Sequence, residues 1–269
     1  KIYQDAEKKT VYYDHAKFHL FNLPILYLPY FSHPDPSVNK RTGFLMPTIQ
    51  TDKNLGNTFS LPYFINIADN KDLTFTPNFQ SKENNFYSFN YRHLNNFGMF
   101  NIDGSIDDND DGEGTSSHIY MDSEIFNQHG SLNAFFKKSN NDTYLRKNKI
   151  NQLTVHESGI KFFKETNDTY LSATASAYKH LTIQNSNQWE YLYPNVTYNI
   201  NNLNMEILPG RLSLNNDFSY RKNLDDSYIT LASTQANWDN NYINKSLGLL
   251  FDAEIVLASA IMSLILRNG

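Results

Sequence analysis

The chain has 269 residues, no cysteine and a formal net charge of −5. Without cysteine, disulfide staples, thiolate metal sites and cysteine nucleophiles are excluded within it. The acidic balance, with no basic run anywhere, argues against nucleic acid as a partner. Aromatic residues make up 14%, as 18 Tyr, 19 Phe and 2 Trp, which favours strands. The 36 Asn weigh weakly against helices, because Asn competes for backbone hydrogen bonds. The chain opens on Lys1 with neither an initiator Met nor a signal peptide, so the expectation is a segment of a longer protein.

Along the chain, Ala16, Phe18 and Leu20 alternate with His15, Lys17 and His19, the pattern of a strand with one apolar face. The next run, Leu23 to Phe31 and on through Ser32-His33-Pro34-Asp35-Pro36, holds four prolines. Each removes a ladder donor, so this stretch reads as the passage from one domain to the next. From residue 57 the period becomes two. Leu73, Phe75, Pro77 and Phe79 alternate with Thr74, Thr76, Asn78 and Gln80, and Tyr87, Phe89 and Tyr91 with Ser88, Asn90 and Arg92. Similar segments near 98–107, 117–126, 129–138, 151–164, 168–179, 188–200, 211–221 and 227–238 bring the count, with 57–66, to about eleven strands.

The expected class is all-β, an antiparallel meander. A soluble sandwich turns the apolar face of such strands inward, and a membrane barrel turns it outward to lipid. Periodicity does not separate the two. Segments of about ten residues suit a bilayer crossing. Short turns alternating with long polar loops, at 107–116 and 139–150, suit a barrel.

The end of the chain breaks the rhythm. Residues 255–266 form an apolar run of twelve without alternation. A buried helix, a strand buried on both faces and a reading-frame artefact all remain open, the artefact slightly favoured by the abrupt change in composition.

The stretch Leu26-Tyr27-Leu28-Pro29-Tyr30-Phe31-Ser32-His33-Pro34, with Lys40-Arg41-Thr42-Gly43-Phe44-Leu45-Met46-Pro47 after it, resembles the LptD family of LPS-assembly proteins. Leu61-Pro62-Tyr63-Phe64-Ile65-Asn66-Ile67-Ala68-Asp69-Asn70-Lys71-Asp72-Leu73-Thr74-Phe75-Thr76-Pro77 resembles the family's first two barrel strands, and Tyr91-Arg92-His93-Leu94 extends the likeness into a third. The resemblance covers residues 16 to 94. Beyond 100 only the strand-and-turn rhythm agrees.

The resemblance implies a periplasmic jelly-roll that ends within residues 1–50, then the N-terminal portion of a large outer-membrane barrel over 51–250, with 251–269 as an anomalous apolar tail. It implies lipopolysaccharide as cargo, an LptE-like plug lipoprotein and an LptA-like bridge protein reached through the jelly-roll. No cofactor and no enzymatic activity are implied. The disulfide-dependent assembly of some family members does not carry over to a cysteine-free chain.

By the same resemblance Pro62 and Pro77 mark a lateral gate. Proline cannot donate to a ladder, which weakens the sheet beside it; a proline at a bulge or barrel rim is the plainer alternative. Ala16, Phe18, Leu20, Ile25 and Tyr27 are the candidate lipid groove, or equally the core of a jelly-roll. Ser60, Asn78, Ser88, Asn90 and Arg92 fall on the polar face and are expected to look into the lumen.

Other motifs carry less. The acidic cluster Asp107 to Gly114 invites a calcium loop, but that alignment puts His118 where a bidentate Glu is needed, so a solvated loop is the better reading and no metal site is expected. The eight histidines show no metal-protease spacing, and neither a nucleophile elbow nor a phosphate-cradling glycine loop occurs. A serine hydrolase gathering its residues from separate strands stays open. The alternatives from other classes are a general porin or receptor barrel and a secreted β-sandwich adhesin.

Overall fold

The computed structural model describes residues 1–20, 23–35, 40–107, 114–183, 188–205, 208–244, 246–247 and 249–265. They form two sheets. The first is three-stranded and antiparallel: β1 (Ile2–Asp5), β2 (Thr10–Leu20) and β3 (Leu23–Pro34). Its rings stack from strand to strand, Tyr3 on Tyr12 at 5.0 Å and Tyr12 near Tyr30 at 5.9 Å.

The second sheet has 15 strands. It begins with β4 (Gly43–Phe44), β5 (Thr48–Asp52), β6 (Gly56–Ser60) and β7 (Tyr63–Ala68). The meander continues through β8 (Lys71–Gln80), β9 (Phe86–Asn95), β10 (Gly98–Asp107), β11 (Ser117–Asn127) and β12 (Gly130–Ser139). After the helix α1 (Tyr144–Lys147) come β13 (Val155–Glu165), β14 (Thr169–His180), β15 (Trp189–Met205), β16 (Leu208–Lys222), β17 (Tyr228–Asn244) and β18 (Leu249–Ile265). From β8 onward each strand pairs antiparallel with the next.

β4 pairs with β7 and β5 with β6, while β6 and β7 both pair with β8 in one register. They are two strands, each interrupted once, at 45–47 and at 61–62. The wall therefore holds about thirteen strands where the sequence pattern indicates eleven. The two additions are Gly43–Asp52, whose glycine and proline hide its period, and β18. The apolar run in β18 is neither a helix nor buried: it is an edge strand, exposed along its whole length.

Burial is inverted relative to a water-soluble protein. Phe75, Phe79, Phe89, Ile106, Ile119 and Phe136 share one face and are 36% to 49% exposed. On the other face Asp72, Asn78, Ser105, His118, Ser139 and Ser176 are buried. A sandwich would reverse this, because water-soluble proteins do not leave such a continuous apolar face uncovered. It is the pattern of a barrel wall, apolar outward and polar inward.

The ends of the strands differ as well. The connections at 69–70, 96–97, 128–129 and 166–168 are short and lie at one end, whereas 81–85, 108–116, 140–154 and 181–188 lie at the other. At this long-loop end, on the apolar face, runs a chain of rings: Trp189, Tyr191, Tyr193, Tyr220 and Tyr228, with successive centroids 5.8 to 6.2 Å apart. Amphipathic rings gather in this way at a membrane–water interface.

Candidate functional site

The prolines act on both flanks of the second strand, β6–β7. Leu61 N donates to Pro77 O at 3.1 Å, and Leu45 N donates to Pro62 O at 2.9 Å. In an antiparallel ladder each such pair would exchange two bonds. Pro77 and Pro62 have no N–H to return, so each pair keeps one. Pro62 thus thins the contact with the first strand, and Pro77 the contact with the third. Pro77 belongs to the apolar face, with Phe75 and Phe79; Pro62 alternates with Leu61 and belongs to the polar one. The resemblance had put these residues in the first and second strands and Tyr91–Leu94 in the third. The pairing of β4–β5 ahead of them moves each one strand along.

The five polar-face residues share one face and fall into three hydrogen-bonded groups. Ser60 Oγ donates to Asn78 Oδ1 at 2.6 Å, and Asn78 Nδ2 lies 3.3 Å from Ser88 Oγ and 2.9 Å from Thr76 O. Asn90 Nδ2 donates to Asn101 Oδ1 at 3.0 Å. Arg92 Nε donates to Asp72 Oδ1 at 2.8 Å. The three groups are separate, and the first of them, Ser60–Asn78–Ser88, lies beside the thinned Leu61–Pro77 pair.

The candidate groove is divided. On the first sheet Ala16 pairs with Leu28 and Tyr27 with Lys17, so Ala16 and Tyr27 occupy opposite faces. Tyr27 is stacked on His15 and hydrogen-bonded to its Nδ1. Phe18, Leu20 and Ile25 lie on β2 and β3, their side chains outside the described residues.

No family model matches the chain. The LPS-assembly protein LptD of Idiomarina loihiensis is 42% identical over 91 residues, 33% of this chain and 12% of that protein. LptD of Shewanella frigidimarina is 40% identical over the same shares. LptD of Haemophilus influenzae is 25% identical over 243 residues, 84% of this chain and 28% of the relative. The chain is LptD-like. Its matched segments span 12% to 28% of those relatives' length.

Two features of this LptD-like chain escaped the sequence reading. Pro47 lies in the break between β4 and β5, so the first three strands of the wall each carry a proline. The spacing was visible: positions 47, 62 and 77 are fifteen residues apart. The second feature is the connection 140–154, which reads as a polar loop yet holds two of the three large side chains that are fully buried among the described residues, Tyr144 and Leu145 at 1% exposure. Tyr144 OH meets Ser105 Oγ at 2.7 Å on the polar face, and Asn151 Nδ2 donates to Tyr120 OH at 3.0 Å. Lys147 reaches Glu83 at 2.9 Å and Lys149 pairs with Asp52, so the loop straps back over the first hairpins. The signal was an apolar Tyr-Leu pair inside an otherwise polar loop.

Under this strap lies a Ser-His-acid array. Ser105 Oγ is 2.7 Å from His118 Nδ1, and His118 Nε2 is 2.9 Å from Asp103 Oδ1. A hydrolase needs its serine open to a substrate carbonyl and paired to a ring nitrogen free to pass the proton on. Here Ser105 is 3% exposed and Tyr144 occupies its hydroxyl. The array serves as a latch for the strap. Of the acidic cluster, Asp108 to Glu113 lie outside the described residues.

Proposed function

We propose that the chain is part of an outer-membrane LPS translocon, the end of its jelly-roll and the first part of its barrel, and that lipid leaves through a lateral opening at the proline-bearing strands. The observation that carries this reading is the loss of one ladder donor on each flank of β6–β7, at Pro62 and at Pro77. A closed membrane wall normally satisfies every backbone group, so a wall thinned on both sides of one strand is suited to part there. Pro47, one strand nearer the edge, extends the weak zone. The likeness to proteins named LPS-assembly protein LptD supplies the cargo class.

In this reading residues 1–50 close a periplasmic jelly-roll and lead out of it, 51–250 form barrel wall with its polar face to the lumen, and the apolar tail 251–269 contributes β18 up to Ile265. The acyl chains follow β2 and β3, the strands that carry Ala16, Phe18, Leu20 and Ile25; Tyr27, on the face opposite Ala16, drops out of that path. Ser60, Asn78, Ser88, Asn90 and Arg92 offer the lumen hydrogen-bonding groups for sugar and phosphate. An LptE-like lipoprotein would fill the lumen, and an LptA-like protein would deliver lipid to the jelly-roll. The role is transport, with no chemical step.

Photocrosslinking of pulse-labelled LPS in cells tests it, with probes at Phe18, Pro62 and Tyr198 of the full-length protein. Adducts should rise first at Phe18, then at Pro62, and only later at Tyr198, which meets lipid already in the membrane. Simultaneous labelling of Pro62 and Tyr198, or none at Phe18 and Pro62 in an inserted protein, would leave a porin-like wall without a lipid exit.

A further inference from the structure

We infer that Lys40 and Arg41 form a two-way clamp that fixes the three-stranded sheet in register with the proline-bearing strands. This rests on the transport reading above, because the clamp would set where the groove of β2 and β3 opens relative to the seam.

Three consecutive residues make the joint. Lys40 Nζ donates to Asp72 Oδ2 at 2.9 Å and to Asp69 O at 3.3 Å, both at the start of β8 and its turn. Arg41 turns the other way. Its guanidinium donates to Lys8 O at 3.4 Å and to Thr10 Oγ1, where β1 passes into β2. Thr42 turns back, its Oγ1 accepting from Asn66 N at 2.9 Å on β7. Successive side chains of an extended segment point to opposite sides, so one short stretch anchors twice on the large sheet and once on the small one.

Both anchor points are built rather than incidental. Asp72 is 2% exposed, and its two oxygens are divided between Lys40 and Arg92. A carboxylate so enclosed needs its cations, and losing one leaves a buried charge under-compensated. Thr10 is equally buried, and its hydroxyl donates to the Lys8 carbonyl at 2.7 Å, which presents both oxygens to the one guanidinium. Asp72 lies on β8, the strand that carries Pro77, and Thr42 anchors on β7, next to Pro62, so the clamp grips the proline-bearing strands themselves. Lys40 and Arg41 are positioning residues in this account, since they act through Asp72 and Thr10.

Spin-label distance measurement on the full-length protein with its partners tests the clamp. The labels sit on Tyr3→Cys and Ile67→Cys, both at exposed positions, one on each sheet. The parent should give one narrow distance distribution. Arg41→Gln and Lys40→Gln should broaden it at least two-fold, and Lys40→Arg should restore the parent width. Thr10→Val leaves the barrel wall untouched and should broaden the distribution as Arg41→Gln does. Unchanged widths in Arg41→Gln and Thr10→Val would overturn the clamp. The transport reading fails separately, through missing LPS adducts at Phe18 and Pro62 in the unmutated protein whatever the widths show.

Discussion

Leu61 and Pro77 face each other across the second and third strands of the wall with one hydrogen bond where a ladder pair has two. Leu61 N donates to Pro77 O at 3.1 Å, and the imide nitrogen of Pro77 has nothing to return. Replacing Pro77 by Val keeps an apolar side chain on the apolar face and restores the donor. The new bond should be worth about 0.5–1.5 kcal/mol locally. Amide exchange in the full-length protein should then slow several-fold at Leu61 and show a protected amide at position 77. Unprotected exchange there would mean that the strands are held apart by something other than the missing donor.

Tyr144 ties the 140–154 strap to the polar face through Ser105. Tyr144→Phe removes that hydrogen bond while Ser105 keeps His118, so the cost should be about 1 kcal/mol, read as faster limited proteolysis within the strap. Burial of the Tyr144 phenol pushes its pKa up from 10.0 to about 12, a shift that the Ser105 hydrogen bond partly opposes. The folded state holds this proton longer than the unfolded chain does. Stability from the neutral phenol is therefore present in full below pH 10.0 and lost as pH rises towards about 12. Ultraviolet titration of tyrosinate should show a late-titrating tyrosine that is absent from Tyr144→Phe.

Leu145 and Lys149 sit in the same strap with very different weight. Leu145 is fully buried, and Leu145→Ala should cost about 2–5 kcal/mol through lost packing and a cavity. Lys149 pairs with Asp52 at an exposed site, so Lys149→Ala should change stability by at most about 1 kcal/mol. Denaturation of the two variants side by side checks that the strap is held by its buried pair and not by its charges.

Gly104 lies under the ring of Phe89. A Cβ at position 104 would come 2.6 Å from the Phe89 ring and 3.1 Å from His118 O. Gly104→Ala should destabilise the wall by about 1–3 kcal/mol through overpacking. Phe89→Leu in the same chain should recover part of that loss, a non-additivity that a double-mutant cycle measures.

Much of the wall was legible because barrel strands repeat one simple rule. From 57 to 238 the alternation of Leu73, Phe75 and Phe79 with Thr74, Thr76 and Asn78 marks both the strands and their faces, and it brought Ser60, Asn78, Ser88, Asn90 and Arg92 onto one surface. The first strand was hidden because Gly43 and Pro47 interrupt its period, which shifted Pro62 and Pro77 by one strand. β18 was hidden because both of its faces are apolar, so no alternation survives. The face of Tyr27 was not legible because it follows a proline-rich stretch, and only the β2–β3 pairing fixes it. Lys40, Asp72 and Arg92 meet over separations of 32 and 20 residues, a distance at which no local pattern speaks.

A disulfide staple across the proposed opening tests the central claim most directly. Ser60 and Asn78 are paired neighbours on β6 and β8, with side chains already in contact. In the full-length protein carrying Ser60→Cys and Asn78→Cys, delivery of LPS to the cell surface should stop when the pair is oxidised and resume on reduction. Equal delivery in the oxidised and reduced states, with the staple verified by mass, would contradict an exit between these strands.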